Sequence, residues 1–174
     1  MLARLDPNFI IALNKLQKLK RNFPTMAGIE AVNFSKERFV RKNWLDRNPV
    51  AWKKRKPSPE WHSAEQKKAA NRGSLMVKTG RLKRSIRVTK VTSNSVTIGT
   101  DVPYAEPHNE GAVINQIVNV KSFSRKRKGR SENVKAHKRR RKITLPKRQF
   151  LGESAILLRR VERLVQREIT EILK

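Results

Sequence analysis

The sequence predicts an α+β fold: N-terminal helices, a small antiparallel sheet of three or four strands, a long C-terminal helix packed on that sheet, and a basic extended arm. Three observations carry this. Apolar residues recur at helical spacing near both ends of the chain, strict alternation occupies the middle, and a nearly pure run of lysine and arginine interrupts the alternating region. At 174 residues the chain can bury one ordinary core, so residues 1–174 are read as a single domain. Its parts are an N-terminal helical region (1–44), an extended basic Pro/Trp segment (45–72), the sheet (73–120), the basic arm (121–142), and a last short strand with the C-terminal helix (143–174).

Asp6-Pro7 opens the first helix: a carboxylate positioned to cap is followed by proline at the first helical position, and Phe9, Leu13 and Leu16 follow at helical spacing. This helix is expected to span residues 7–22 and to end before Pro24. A second helical stretch is expected over residues 27–43, interrupted near Asn33-Phe34-Ser35, where Ser35 can start a new turn. Prolines 49, 57 and 59 and the run Lys53-Lys54-Arg55-Lys56 then read as an extended connection. Trp44, Trp52 and Trp61 punctuate it, and their large apolar area pins irregular chain to a core or to a subunit interface more readily than it stacks on bases. They are taken as interface anchors.

Thr79-Gly80 turns the chain into a first strand, with Leu82 inward and Ile86 and Val88 alternating with Arg87 and Thr89. Ser93-Asn94 is the expected hairpin turn, and Val96, Ile98 and Thr100 form the returning strand. A third strand follows over residues 112–120, and residues 143–145 are a short fourth strand. Between them, residues 121–142 hold twelve Lys and Arg against the single acid Glu132. Without apolar periodicity this stretch cannot bury enough to fold alone, so it is read as a long arm or β-hairpin tip that orders on a partner. The last helix has Gly152 before it, Glu153 in its first turn, and a stripe of Leu157, Val161, Leu164, Val165, Ile169 and Ile172.

Charge narrows the classes of function. Against 14 Asp and Glu stand 42 Lys and Arg, a formal net charge of +28 that repels itself unless anions lie close by. An anionic partner is implied: nucleic acid or an acidic protein. A membrane is disfavoured, because no apolar run approaches the roughly 20 residues that span a bilayer. No secretory pattern is visible near Met1, which suggests a protein that stays in the cytoplasm where it is made. The absence of cysteine removes disulfides, thiolate catalysis and the common zinc sites. No phosphate-binding glycine loop occurs, and no cofactor is expected.

Tyr104 to Gly111 is the one place where a histidine and carboxylates crowd together. A metal site needs three or more convergent ligands, and a hydrolase needs a nucleophile held against His108 by a third group; neither is legible, so a nuclease using His108 with Glu106 or Glu110 is set aside. The segment reads as structural, with Tyr104 at the end of the sheet, His108 bonding backbone near a turn, and Gly111 supplying a φ that other residues resist. The basic arm is a stronger signal, since solvated surfaces intersperse both signs whereas this arm presents nearly pure positive blocks that gain affinity by releasing counterions from phosphates. Its candidate contact residues are Arg125, Lys126, Arg127, Lys128, Arg130, Lys138, Arg139, Arg140, Arg141 and Lys142.

Three segments occur in order: "LMVKTGRLKRSI" (75–86), "TIGTDVPYAEPHNEG" (97–111) and "ITLPKRQFLG" (143–152). Together they resemble the phage virion morphogenesis family, whose members tend to show TG-x-L-x-x-S, then YA-x-x-H-x-x-G, then P-x-R-x-F-L-G before a last helix. The resemblance covers residues 73–174 well and the first seventy residues loosely, and this chain has Asn109 where glutamine is common. It implies that Gly80, Tyr104, His108, Gly111, Phe150 and Gly152 are marks of the fold. It also implies a virion structural component without enzymatic turnover, which completes the tail or joins head and tail as one subunit of a ring in the neck. Its partners would be further copies of itself, phage connector and tail proteins, and DNA in the channel, with assembly in the host cytoplasm. The alternative from composition alone is a nucleic-acid-binding protein of ribosomal or nucleoid type.

Overall fold

The computed structural model describes residues 6–55, 74–127 and 129–174. Among them lie four helices and eight strands, in the order α1 (Pro7–Arg41), β1 (Asn43–Leu45), β2 (Pro49–Ala51), α2 (Arg81–Ser85), β3 (Arg87–Val91), β4 (Val96–Gly99), α3 (Ala105–Glu110), β5 (Ala112–Val120), β6 (Phe123–Arg127), β7 (Arg130–Val134), β8 (His137–Leu145) and α4 (Ala155–Ile172). The architecture is α+β, with a long N-terminal helix, small antiparallel sheets and a C-terminal helix. In place of one sheet of three or four strands, the strands form four separate antiparallel pairs: β1 with β2, β3 with β4, β5 with β8, and β6 with β7.

One helix of 35 residues replaces the two expected from the sequence. Asp6 caps it as anticipated, its side chain accepting a hydrogen bond from the Asn8 backbone N–H at 2.8 Å. Pro24 sits inside the helix and is buried. A proline there removes one backbone hydrogen bond and crowds the preceding turn, but tertiary packing downstream holds the helix together. Gly28, Val32, Phe34, Ser35, Arg38 and Phe39 are all buried on one side of it. Ser35, expected to begin a new turn, lies mid-helix. The helix ends at Lys42, in left-handed conformation with its N–H bonded to the Arg38 carbonyl.

The core gathers around this buried stretch. Phe39 meets Trp52 edge-on at 5.4 Å between ring centroids and Phe150 at 5.1 Å, and Val32, Leu82, Ile86, Val102 and Ala105 complete the cluster. The β3–β4 hairpin lies against α1 at Gly28, its turn closed by the Thr92 side chain, which accepts from the Ser95 N–H at 3.0 Å. Thr79-Gly80 leads into the short helix α2 instead of directly into a strand, with Leu82 buried and Ser85 sharing a hydrogen bond with Thr100 at 2.6 Å.

Helix α4 packs along α1 and not on a sheet. Arg160 bridges the two helices, 2.9 Å from Glu37 and 3.5 Å from Glu30, with its guanidinium over the Phe34 ring. The cap is Ser154, whose hydroxyl accepts from the Leu157 N–H and donates to the Leu45 carbonyl, so Glu153 precedes the helix and is not in its first turn. The apolar stripe is only half-buried, and Val165 and Ile169 line an apolar cavity of about 600 Å³ with Leu16, Phe23 and Val96.

Gly28 is where helix and hairpin come closest: a Cβ there would lie 2.6 Å from Val96 Cγ2 and 2.9 Å from Val88 Cγ2. Both neighbours are β-branched and stiff at χ1. Gly28→Ala is therefore expected to push the hairpin off α1 at a cost of about 1–3 kcal/mol, to be read as a lower urea midpoint with an unchanged slope.

Candidate functional site

Two regions concentrate the residues singled out above. The first is the excursion between β5 and β8. Ala112 pairs with Leu145 and Val120 with His137, and the same register continues through Phe123 with Val134 to Arg127 with Arg130. The two pairs together make one antiparallel ribbon with Arg127 and Arg130 paired at its tip and Gly129 at φ +80. Each limb runs for about 50 Å at roughly 3.3 Å per residue. The sequence reads most of this stretch as a long arm or β-hairpin tip that orders on a partner; it is a hairpin, and it is paired within the chain without one. An antiparallel ladder satisfies the backbone without a buried core, and the branched residues of β5 suit an extended conformation.

The ribbon is electrically lopsided. Strand β5 carries no charged residue, whereas Lys138, Arg139, Arg140, Arg141 and Lys142 follow one another along β8, all exposed. Because side chains alternate across a strand, Lys138, Arg140 and Lys142 project from one face and Arg139 and Arg141 from the other. Opposite them stand Asn119, Ile117, Asn115, Val118 and Gln116, none able to neutralise a cation. Among the described residues none of the five has an ion pair, and the ribbon's only one joins Arg125 to Glu132 at 3.0 Å, an exposed contact of little energetic weight. Lys126 and Arg130 are exposed near the tip, Arg127 lies on β6, and Lys128 falls outside the described residues.

The second region is where the three quoted segments meet. Gly80 caps α2 at φ +75, Tyr104 caps α3, and Phe150 is wholly buried in the core beside Phe39. Asn109 joins the second segment to the third: its Oδ1 accepts from the N–H groups of Phe150 and Leu151, both at 2.9 Å, and its Nδ2 donates to the Leu151 carbonyl at 3.0 Å. The Arg148 N–H bonds the His108 carbonyl at 2.8 Å. Gly111 has φ +80, and a Cβ there would lie 2.9 Å from the Lys147 nitrogen. Gly152 closes the third segment at φ +146. The sequence marks Asn109 only as a departure from the family pattern and gives Arg148 no role, because the helix that aims the amide at the third segment is not legible in it.

His108 packs edge-on against Tyr104, and its Nδ1 is buried without a hydrogen-bond partner among the described residues, in contrast to the backbone bond expected for it. Burial, and then the charge of Arg148, lower its pKa below the usual imidazole value. Among the described residues no three of His, Asp or Glu come together to hold a metal ion. Trp44 and Trp52 are buried in this chain's own interior, Trp44 edge-on to Phe34 and Trp52 donating to the Gln149 carbonyl at 2.8 Å. That leaves them no surface with which to lock a neighbouring subunit, a correction to their reading as interface anchors: packing inside the chain already uses their area. Trp61 lies outside the described residues.

The family model for the phage virion morphogenesis family matches residues 12–170, nearly the whole chain. The chain belongs to the phage virion morphogenesis family. No curated protein and no solved structure matches it significantly. Membership carries a role in building the phage virion, and the match reaches well into α1, beyond the three segments on which the sequence resemblance rested. No helix among the described residues is long and apolar enough to cross a membrane.

Removing the Asn109 amide leaves two backbone N–H groups without their acceptor, one of them on wholly buried Phe150. Asn109→Ala is expected to cost about 2–4 kcal/mol, measured by thermal or urea unfolding. His108 supplies a pH test. With its folded pKa below the ordinary 6.5, the unfolded chain takes up the proton first, so stability is complete above about 6.5 and falls as pH drops below it. His108→Gln should flatten that part of the stability–pH curve relative to the wild type.

Proposed function

We propose that this protein is a non-enzymatic structural subunit of the phage neck, one of several copies in a ring that completes the tail or joins it to the head. The observation that carries this reading, beyond family membership, is the ribbon: a projecting two-stranded element in which uncharged β5 lies beside β8, whose five consecutive cations have no ion pair among the described residues. A two-stranded ribbon is marginal by itself in water. On β5 and β6, Val113, Ile117 and Phe123 remain exposed at 57%, 65% and 46%, a pattern suited to cover by a neighbouring copy when the ring closes. The half-covered stripe of α4 suits the same explanation.

The cationic limb then faces polyanion. A ribbon of this kind fits the major groove of duplex DNA or lies along phosphates. With cations on both faces and no recognition pattern, the contact is electrostatic and indifferent to base sequence. Each ribbon binds modestly, but a ring of them acts together through multivalency. Acidic surfaces of connector or tail proteins are the competing target for the same limb.

The triple substitution Arg139→Gln, Arg140→Gln, Arg141→Gln separates these outcomes. It should lower the slope of log affinity for duplex DNA against log salt by about 3 and leave the far-ultraviolet circular dichroism spectrum unchanged. It should also fail to restore plaques to a phage whose own copy of the gene is inactivated, leaving filled heads and tails unjoined or tails unfinished. Unaltered DNA binding at low salt, together with failed complementation, would move the limb's target to protein. Full complementation by the variant would remove the limb from the function.

A further inference from the structure

A cavity of about 340 Å³ opens where the three family segments meet, and it lies apart from the ribbon. Arg55, Lys78, Arg81 and Arg148 line it, no aspartate or glutamate among the described residues does, and Leu75, Met76 and Leu82 make its apolar wall. Tyr104 and His108 complete the lining.

Arg148 is the anomaly. It is 93% buried, since only 7% of it remains exposed, yet it has no carboxylate opposite it among the described residues. Its Nε donates to the Lys53 carbonyl at 3.0 Å, which fixes the side chain and leaves the terminal guanidinium nitrogens without a partner among the described residues. Burial disfavours this charge, the guanidinium of Arg55 disfavours it further, and the terminal nitrogens are not sealed from solvent. The contrast with Arg38 is instructive. That residue is buried more deeply still, but it has Glu37 at 3.1 Å, the Phe34 carbonyl at 3.3 Å and the Asn43 side chain at 3.1 Å. The same fold thus satisfies one buried arginine fully and leaves the other facing a cavity, next to a buried imidazole nitrogen that also lacks a partner.

The geometry points to a binding site for a protein carboxylate: an Asp, Glu or C-terminal carboxylate of a partner protein, carried next to an apolar side chain. The guanidinium fork of Arg148 would take the carboxylate, with Arg81 and Lys78 at the mouth, and the apolar neighbour would rest on Leu75, Met76 and Leu82. A bare phosphate would satisfy the charge but leave the apolar wall wet. This site is independent of what the ribbon binds, so either assignment can fail without the other.

Tyr104 is the only tyrosine in the chain, so fluorotyrosine labelling of the full-length protein places one fluorine reporter at this cavity. The probe is N-acetyl-leucine, which carries a carboxylate beside an apolar side chain; N-acetyl-leucinamide and inorganic phosphate are the comparisons. N-acetyl-leucine should shift the fluorine resonance saturably, the amide should not, and phosphate should bind more weakly than N-acetyl-leucine. Arg148→Lys, which keeps the charge but loses the fork, should weaken binding about tenfold. Should that variant lose its folded spectrum, the surface pair Lys78→Gln, Arg81→Gln carries the test, and it should weaken binding about fivefold with the fold intact. Equal shifts from acid and amide, tighter binding of phosphate, no shift with any probe, or unweakened binding in the folded variants would each overturn the assignment.

Discussion

The arrangement of this protein depends on the burial of one turn and a half of α1, from Phe34 to Phe39. Phe34, Ser35, Arg38 and Phe39 are all but inaccessible, and the surfaces that cover them come from far along the chain: Trp44, Trp52, Phe150 and Arg160. An arginine in the middle of such a patch is tolerable only if every donor is answered. Arg38 is answered from its own helix by the Phe34 carbonyl and by Glu37, and from the next hairpin by Asn43, with its guanidinium 4.5 Å above the Phe34 ring. Burial opposes the charge on Glu37, but hydrogen bonding and charge from Arg160, joined by Arg38, outweigh it and hold that carboxyl below the usual glutamate range. Glu37 thereby links the buried arginine of one helix to the bridging arginine of the other, which sets how α4 lies on α1.

Around this centre the three family segments act less as separate motifs than as parts of one joint. The second segment forms a six-residue helix whose asparagine reads the backbone of the third, and the tight approach at Gly111 lets the chain leave that helix directly beneath residues 145–147. The base of the ribbon is thus clamped at both limbs, β5 leaving from Gly111 and β8 ending within the third segment. A side-chain amide is the operative group, which explains why asparagine can stand where glutamine is common in the family: both present one acceptor and two donors, and only the reach differs.

Charge is distributed in two distinct ways. The body pairs some of its cations, through Glu30 and Glu37 on α1 and through Glu110, which meets Lys147 at 3.1 Å, although cations still outnumber acids there. The distal part of the ribbon has Glu132 alone against its many lysines and arginines. Salt screening weakens any attraction that the ribbon exerts on a polyanion.

From the sequence alone came the features with a local cause. The capping carboxylate at Asp6, the alternating stretches of β3 to β5, the amphipathic last helix and the concentration of charge in residues 121–142 all follow from spacing and composition, as did the resemblance to the family. The tertiary structure decided what local chemistry could not. Pro24 argued for a break, but burial of the helix downstream prevailed. The stripe of α4 required an apolar partner without saying which, and the partner is α1, because Arg160 and Phe34 fix that approach. Trp44 and Trp52 turned inward because each has an aromatic partner inside the chain. The strands separated into pairs, and the basic stretch folded back on itself, since pairing satisfies backbone groups regardless of what the side chains carry. Finally, the company of Arg148, a buried guanidinium beside an unpaired imidazole nitrogen and a second arginine, arises from residues nearly a hundred positions apart, and no spacing along the chain could have announced it.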